Sequence, residues 1–274
     1  RIIAGLEQSQ SDLAVLCADD DFLVPAGLEV CTEFLRNNPD YSCAQGRYVR
    51  FVINNGTINY SEQRPWLKSI IEDEPLNRIK KGFIPKYSPY IYAVHKKVNV
   101  ERILSFENFG DDEYLLVFEE LLTFSSLSSG KAKRLDELYC FREMGNVKTY
   151  KIEKYTMVAK SLLKFEKAAL NIISDPNQRN SFTQIVEQVT NVQMKVYFSS
   201  IYNKEHPSLI TPPTIIELLS QIRSKLNFKR LIKYCVNRIK KFPEKDTFPL
   251  TSYQDQNLKE FQIIDKVIID CNIT

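Results

Sequence analysis

The sequence predicts an α/β fold with a mixed sheet, followed by a region made of helices. A short, continuous apolar run at 13–18 is typical of a strand buried on both faces of a mostly parallel sheet. Strand-like and helix-like stretches then alternate along the first half of the chain. From about residue 150, apolar residues recur at helical spacing between proline-containing breaks. We therefore expect an α/β unit at 1–148 and a helical accessory region at 149–274.

Local start and stop residues predict the elements of the first region. Pro25 opens a helix that Asn37-Asn38-Pro39 ends. The β-branched and aromatic stretch at 41–53 predicts a strand, and Asn54-Asn55-Gly56 predicts a hairpin turn into a second strand at 57–60. The remaining predicted elements are a strand at 89–94, helices at 98–106 and 112–127, the second stopped by Gly130, and a strand at 134–141.

Composition and charge exclude several classes of protein. The 274 residues carry a formal net charge of +3 and are 43% hydrophobic, which excludes collagenous, low-complexity and disordered chains. No apolar run is long enough to cross a membrane. The six cysteines are scattered and form no Cys-x-x-Cys pair. We therefore expect mostly buried, free thiols in a reducing compartment.

Three adjacent aspartates, Asp19-Asp20-Asp21, directly follow the first predicted strand. Adjacent carboxylates repel one another unless a cation neutralises them. A solvated loop, or carboxylates that complement a helix N-terminus, is the ordinary explanation, but the triplet stands too far before Pro25 to cap that helix. Open α/β sheets bind ligands at the carboxyl ends of strands, and divalent cations bridge carboxylates to phosphates. The triplet therefore predicts a metal–phosphate site.

Two classes of enzyme place aspartates in this way. A haloacid-dehalogenase-type phosphatase uses Asp-x-Asp followed by threonine or valine, with the first aspartate as nucleophile. Here Phe22 and Leu23 follow Asp21, which fits that pattern poorly. The other class is the nucleotide-sugar glycosyltransferases of GT-A fold, whose Asp-x-Asp motif holds a metal on the donor diphosphate.

The stretch at 16–28, Leu-Cys-Ala-Asp-Asp-Asp-Phe-Leu-Val-Pro-Ala-Gly-Leu, resembles family-two glycosyltransferases of GT-A fold, in a bacterial subgroup with an Asp-Asp-Asp motif. Phe118-Glu-Glu-Leu-Leu122, Ser129-Gly-Lys131 and Leu-Asp-Glu-Leu-Tyr-Cys-Phe-Arg-Glu at 135–143 are similar to that family's acid-bearing helix, glycine turn and closing strand. The resemblance covers roughly residues 1–145 and implies a partial GT-A, Rossmann-like mixed sheet.

The chain departs from this family at its start. Members have several strand–helix units before the aspartate cluster, and those units bind the nucleobase and ribose. Here the chain begins at Arg1, and only 18 residues precede Asp19. We therefore expect either the C-terminal part of a longer protein or a chain without the donor-base site.

The resemblance also implies roles for the acidic residues. The family reaction is an in-line displacement at the anomeric carbon with inversion, assisted here by Mn²⁺ or Mg²⁺. Asp21 is the expected metal ligand, while Asp19 and Asp20 would contact ribose, diphosphate or metal-bound water. The expected base is Glu120 or Glu119, and we favour Glu120. Because consecutive helical residues point about 100° apart, only one of the two can face the site.

Other side chains have both a functional and an ordinary explanation. Both glutamates could instead face solvent, in which case Asp111 or Asp112 is the next candidate base, although Gly110-Asp-Asp is also an ordinary helix start. His95 and Lys96 follow a predicted strand and could contact a phosphate or the acceptor, whereas a lone histidine is more often structural. Trp66 could stack on a sugar ring, although core packing is its more frequent role.

The helical region contains a basic amphipathic stretch at 223–241, in which eight positive charges occur without an acid. Such a helix can lie on an anionic membrane surface through residues such as Arg230, Lys233 and Lys240, or it can pack on the core with a solvated basic face. No recognised nucleic-acid motif accompanies it, so we expect no nucleic-acid partner. Helices are predicted at 155–173, 182–197, 214–225 and 257–269.

Together these features predict an inverting, metal-assisted glycosyltransferase. Its partners would be a nucleotide-sugar donor and a glycan or lipid-linked acceptor. The resemblance places it in bacterial surface polysaccharide or glycoconjugate synthesis, in the cytoplasm, with peripheral contact at the inner face of the plasma membrane. The alternative from another class is a non-catalytic interaction module, a degenerate transferase remnant whose helical region binds a partner. A metal-dependent phosphatase is the third candidate.

Overall fold

The protein has a mixed α/β architecture with helices packed against a mixed sheet. A computed structural model describes residues 2–54, 57–63, 67–84, 87–106, 112–143, 155–173 and 179–205, with 259 and 262–263. In this part of the chain the strands are β1 (Leu13–Val15), β2 (Phe22–Leu23), β3 (Tyr41–Asn54), β4 (Thr57–Gln63), β5 (Val94–Lys96) and β6 (Lys131–Glu143). The helices are α1 (Ile2–Gln8), α2 (Pro25–Asn37), α3 (Pro75–Phe83), α4 (Lys97–Leu104), α5 (Asp112–Leu116), α6 (Phe118–Ser129), α7 (Tyr155–Ile172) and α8 (Arg179–Glu205).

The sheet is centred on the two long strands β3 and β6. The strand order is β1-β5-β3-β6-β2, and β4 pairs with β3 as a hairpin. Strands β3 and β6 run parallel, with register shifts along the pair, and every other pairing is antiparallel. The predicted hairpin is confirmed, since Asn54 pairs with Thr57 across the turn. The predicted helix after Pro25 is also confirmed, because α2 begins at Pro25 with Val24 as its N-cap residue.

Two predicted strands differ from the structure. The apolar run at 13–18 forms a strand only at Leu13–Val15, which is half-buried and antiparallel to β5. It lies at one end of the strand order, so only one of its sides is paired in the described sheet. The stretch predicted as a strand at 89–94 turns instead, because the Ala93 N–H donates to the Tyr90 carbonyl over 2.9 Å. Strand β5 begins only at Val94.

The helix predicted at 112–127 is divided into α5 and α6 at Val117. This residue leaves the helical conformation, with φ −108° and ψ 12°, and a new helix starts at Phe118. Gly130 ends α6 as predicted, in an extended backbone conformation. The break places the first turn of α6, with its adjacent glutamates, at a helix N-terminus, where negative side chains are favoured.

The main hydrophobic core lies among the helices. The rings of Phe83 on α3, Phe124 on α6 and Phe165 on α7 pack on one another with centroids 5.9–6.4 Å apart. Helices α7 and α8 contribute to the same buried cluster as α3, α4 and α6. The boundary predicted between 148 and 149 falls outside the described residues, so the division into two regions remains a prediction.

Mostly buried, free thiols were expected, and three of the four cysteines that the structure describes are buried. Cys31, Cys43 and Cys140 are buried and free, whereas Cys17 is free and exposed. None of the described helices is long and apolar enough to span a bilayer.

Helix α2 packs on β6 through a glycine, which provides a stability test. A Cβ atom at Gly27 would lie 2.1 Å from the Leu138 carbonyl oxygen and 2.9 Å from the Tyr139 Cα. We expect Gly27→Ala to lower the free energy of unfolding by about 2–3 kcal/mol, because helix and strand must move apart. Gly5→Ala in α1 is the matched control, since nothing lies within 4 Å of its Cβ position.

The control should raise the free energy of unfolding by up to about 1 kcal/mol, because alanine has the better helix propensity. Urea denaturation of both variants measures the difference. Equal stabilities for the two variants would contradict the close approach of α2 to β6.

Candidate functional site

The aspartate triplet lies in the turn between β1 and β2. The Asp21 N–H closes this turn on the Ala18 carbonyl over 3.3 Å. Asp19 and Asp20 are exposed, and neither forms a hydrogen bond or ion pair with a described residue. The side chain of Asp21 points the other way and is only 3% exposed. The triplet therefore divides into two free carboxylates and one buried carboxylate.

The buried carboxylate of Asp21 attaches the turn to the end of β6. Its Oδ2 accepts from Arg142 Nε over 3.2 Å, and its Oδ1 accepts from the Glu143 N–H over 3.0 Å. Burial, with a smaller contribution from the Asp21 carboxylate, raises the pKa of the nearby Tyr92 phenol. The pairing of β2 with β6, Phe22 opposite Phe141, brings these partners together.

This geometry does not support the expected role of Asp21 as metal ligand. Both of its oxygens are occupied, and the adjacent guanidinium opposes a second cation. Within the described ranges, no group of three or more histidine, cysteine or acidic side chains is placed to hold a metal ion. Protein sites for Mg²⁺ often provide only one or two carboxylates and complete the shell with phosphate and water. Asp19 and Asp20 fit such a site, and Asp21 does not.

Arg142 contacts both the aspartate turn and Tyr92. Its guanidinium stacks on the Tyr92 ring, 4.5 Å from the centroid, and its Nη2 donates to the Tyr92 hydroxyl over 3.3 Å. Burial disfavours the charge, but Tyr92, Asp21, Cys140 and Glu119 together raise the pKa of Arg142. Glu119 is thus near enough to act on the same guanidinium that binds Asp21. Glu119 at the start of α6 thus contributes to the electrostatics of the group that binds Asp21.

The two adjacent glutamates of α6 differ in burial and in hydrogen bonding. Glu119 is half-buried, and its charge raises the pKa of Arg142 and also those of Tyr87 and Tyr197. Glu120 is 5% exposed and faces α8, where its Oε1 lies 2.6 Å from the Tyr197 hydroxyl. Burial, with a smaller contribution from Glu119, raises the pKa of Glu120 to about 8. Because Glu120 is buried against Tyr197 and its raised pKa leaves it largely protonated at neutral pH, Glu119 is the more available of the two as a base.

The predicted contacts of His95 and Lys96 lie elsewhere. His95 is fully buried, its Nδ1 2.8 Å from Ser126 Oγ and its Nε2 2.8 Å from the Tyr90 carbonyl oxygen. Burial lowers its pKa to about 4, so His95 is a neutral core residue, and this geometry does not support a ligand contact. Lys96 pairs with Leu13, at the opposite end of β1 from the aspartates, and its ammonium donates to the Pro39 carbonyl.

An open groove of about 380 Å³ adjoins Lys96 and is also lined by Arg36 and Lys97. Because it lies beside the start of β1, it does not bring Lys96 to the aspartate turn.

Several other sequence candidates fall outside the described residues. They are Trp66, Asp111, Arg230, Lys233 and Lys240. Asp112 begins α5, but its side chain is outside the described part of the structure. Their predicted roles remain predictions.

Three residues of the site were not singled out from the sequence, namely Tyr92, Arg142 and Tyr197. Arg142 belongs to the Arg-Glu pair that ends the predicted closing strand, so the motif was visible but its contact with Asp21 was not. Tyr92 and Tyr197 were unremarkable members of a predicted strand and a predicted helix. In comparisons with known proteins, no family model and no curated protein matches this chain.

Proposed function

We propose that the protein is a glycosyltransferase of GT-A type that moves a sugar from a nucleotide-sugar donor to an acceptor hydroxyl with inversion. The observation that supports this most is Arg142, which binds Asp21 over 3.2 Å and whose pKa is also raised by the charge of Glu119. One guanidinium is thus influenced by acids from both the aspartate turn and the acid-bearing helix, the two motifs on which the resemblance depends. A glycan or lipid-linked acceptor, surface polysaccharide synthesis, and a cytoplasmic site with peripheral membrane contact belong to the same proposal.

The donor side of the reaction is assigned to the exposed carboxylates. Asp19 and Asp20 would hold Mn²⁺ or Mg²⁺ against the donor diphosphate. The cation, when bound, supplies charge stabilisation to the departing nucleoside diphosphate. Asp21 is assigned a positioning role, because its bonds to Arg142 and the Glu143 backbone fix the turn that carries its two neighbours.

The acceptor side is assigned to Glu119. Its half-buried carboxylate takes the proton from the acceptor hydroxyl as that oxygen forms a bond to the anomeric carbon. The bond between the anomeric carbon and the diphosphate oxygen breaks in the same step, and the nucleoside diphosphate leaves with the electron pair. A single displacement of this kind inverts the anomeric centre.

The exposed aspartates provide the test of the donor site. We expect Asp19→Asn combined with Asp20→Asn to lower sugar transfer, or donor hydrolysis, by on the order of 100-fold. The assay measures nucleoside diphosphate release from UDP-, GDP- and dTDP-sugars with Mn²⁺ or Mg²⁺. Asp12→Asn is the matched control, since it removes an exposed carboxylate at the other end of β1. Full activity of the double variant, or of the wild type in excess chelator, would contradict this assignment.

The same assay separates the alternative functions. A phosphatase would release inorganic phosphate from a phosphomonoester and would depend on Asp19 as nucleophile. A non-catalytic interaction module would give neither product at any concentration of protein or cation. Either outcome would overturn the proposed transfer reaction.

A further inference from the structure

Helix α8 contacts helix α6 through the half-buried Tyr197 and the buried Glu120. The Tyr197 hydroxyl lies 2.6 Å from Glu120 Oε1 and 3.0 Å from the Leu116 carbonyl oxygen. The first distance is short for an O–H···O contact. This pair thus connects the predicted helical region to the start of the acid-bearing helix.

The number of available hydrogens determines the charge state that this geometry fits. A phenol has one hydrogen to donate, and the Leu116 carbonyl can only accept. If Glu120 is protonated, it donates to the Tyr197 oxygen, and Tyr197 donates to Leu116, so both contacts are hydrogen bonds. If Glu120 is ionised, Tyr197 can donate to only one of its two acceptors. The contacts therefore match a neutral carboxyl group.

The second oxygen of Glu120 leads to the same conclusion. Oε2 is buried and has no hydrogen-bond partner among the residues that the structure describes. An ionised carboxylate would leave this oxygen charged and unsatisfied in the core, which is costly. A protonated group carries no such charge.

Among the residues that the structure describes, no positive charge lowers the pKa of Glu120. The titratable groups that act on Glu120 are Glu119 on α6 and Tyr197 on α8. Tyr87, which is hydrogen-bonded to Thr123 over 2.9 Å, is close enough for both glutamates to raise its pKa. On α7, Lys164 lies over the Tyr114 ring and is not among the groups that shift the Glu120 pKa. Burial, then Glu119, raises that pKa, and the Tyr197 hydrogen bond opposes the rise.

We propose that Tyr197 and Glu120 form a proton-dependent latch that holds helix α8 on helix α6 while Glu120 is neutral and weakens when it ionises. The latch is a property of the fold and does not depend on the proposed transfer reaction. The direction of its pH dependence follows from the linkage between protonation of Glu120 and docking of α8. Detached α8 would expose Glu120 to water, where it ionises near pH 4.3, so rising pH favours the detached state until the docked group ionises as well.

Amide hydrogen exchange tests the latch directly. Protection factors of the α8 amides, corrected for intrinsic exchange, should fall by roughly 10- to 100-fold between pH 6 and pH 8 in the wild type. Glu120→Gln cannot ionise and should show no such fall. Tyr197→Phe should lower α8 protection already at pH 6, because its contact is lost at every pH.

Tyr139→Phe is the matched control. It removes another buried tyrosine hydroxyl, which donates to the Tyr92 carbonyl over 2.6 Å and has no carboxyl partner. It should leave the pH dependence of α8 unchanged. Three results would each overturn the latch: constant wild-type protection from pH 6 to pH 8, a retained fall in Glu120→Gln, or wild-type protection at pH 6 in Tyr197→Phe.

An infrared measurement keeps the proposal testable if Glu120→Gln does not fold. The wild type should retain the carbonyl band of a protonated carboxyl group at pH 6 to 7, where exposed acids are ionised. Absence of that band would show that Glu120 is already charged, and the proposal would then fail.

Discussion

Glu119→Gln should reduce turnover by roughly two to four orders of magnitude, the usual contribution of a general base. The change keeps the size of the side chain and removes only its ability to take a proton. Donor binding should change little, because Glu119 is assigned to the acceptor. Steady-state kinetics at saturating donor, together with a donor dissociation constant, would separate the two effects.

Glu120→Gln is the natural comparison, since the two residues are adjacent on α6. We expect it to lower turnover by less than about tenfold, because Glu120 faces Tyr197 and is largely neutral at pH 7. If Glu120→Gln is the damaging change, then our choice between the pair is wrong. If neither matters, the base is another group, with Asp111 or Asp112 as the next candidates.

Asp21→Asn should lower the free energy of unfolding by about 2–4 kcal/mol, because it leaves the Arg142 guanidinium without its charged partner in a largely buried position. The amide also offers one acceptor oxygen where two were used, by Arg142 Nε and by the Glu143 N–H. Chemical denaturation in the absence of nucleotide and metal measures the loss.

Asp20→Asn is the matched control for Asp21→Asn, because it makes the same chemical change at the neighbouring exposed position. It should change stability by no more than about 0.5 kcal/mol. Arg142→Met combined with Asp21→Asn should recover part of the loss, since neither buried charge is then left alone. If Asp21→Asn is as stable as the wild type and loses only metal-dependent activity, Asp21 is a metal ligand after all.

Much of the site could be predicted from local sequence, because its motifs are contiguous. The aspartate triplet, the glutamate pair before Gly130 and the Arg-Glu pair at the end of β6 are each visible as short patterns. Which member of each pattern is functional could not be predicted. Adjacent residues of the same type can have different surroundings, and the surroundings determine charge, exposure and hydrogen bonding.

The sequence by itself determined the elements whose boundaries depend on nearby residues. Pro25 begins α2, Asn38 and Pro39 end it, and the Asn-Asn-Gly turn sets the β3–β4 hairpin. These effects act through backbone conformation and steric contact over a few residues. They therefore do not depend on the remainder of the fold.

Only the tertiary structure decided which carboxylates are buried. Asp21 is buried because β2 pairs with β6, whose Arg142 lies 121 positions along the chain, and Glu120 is buried because α8 brings Tyr197 from 77 positions away. The same holds for β1. Its local pattern predicts a strand buried on both faces, whereas in the structure it is a half-buried strand at one end of the strand order. Contacts of such sequence separation arise from the packing of whole elements, and no short window of sequence contains both partners.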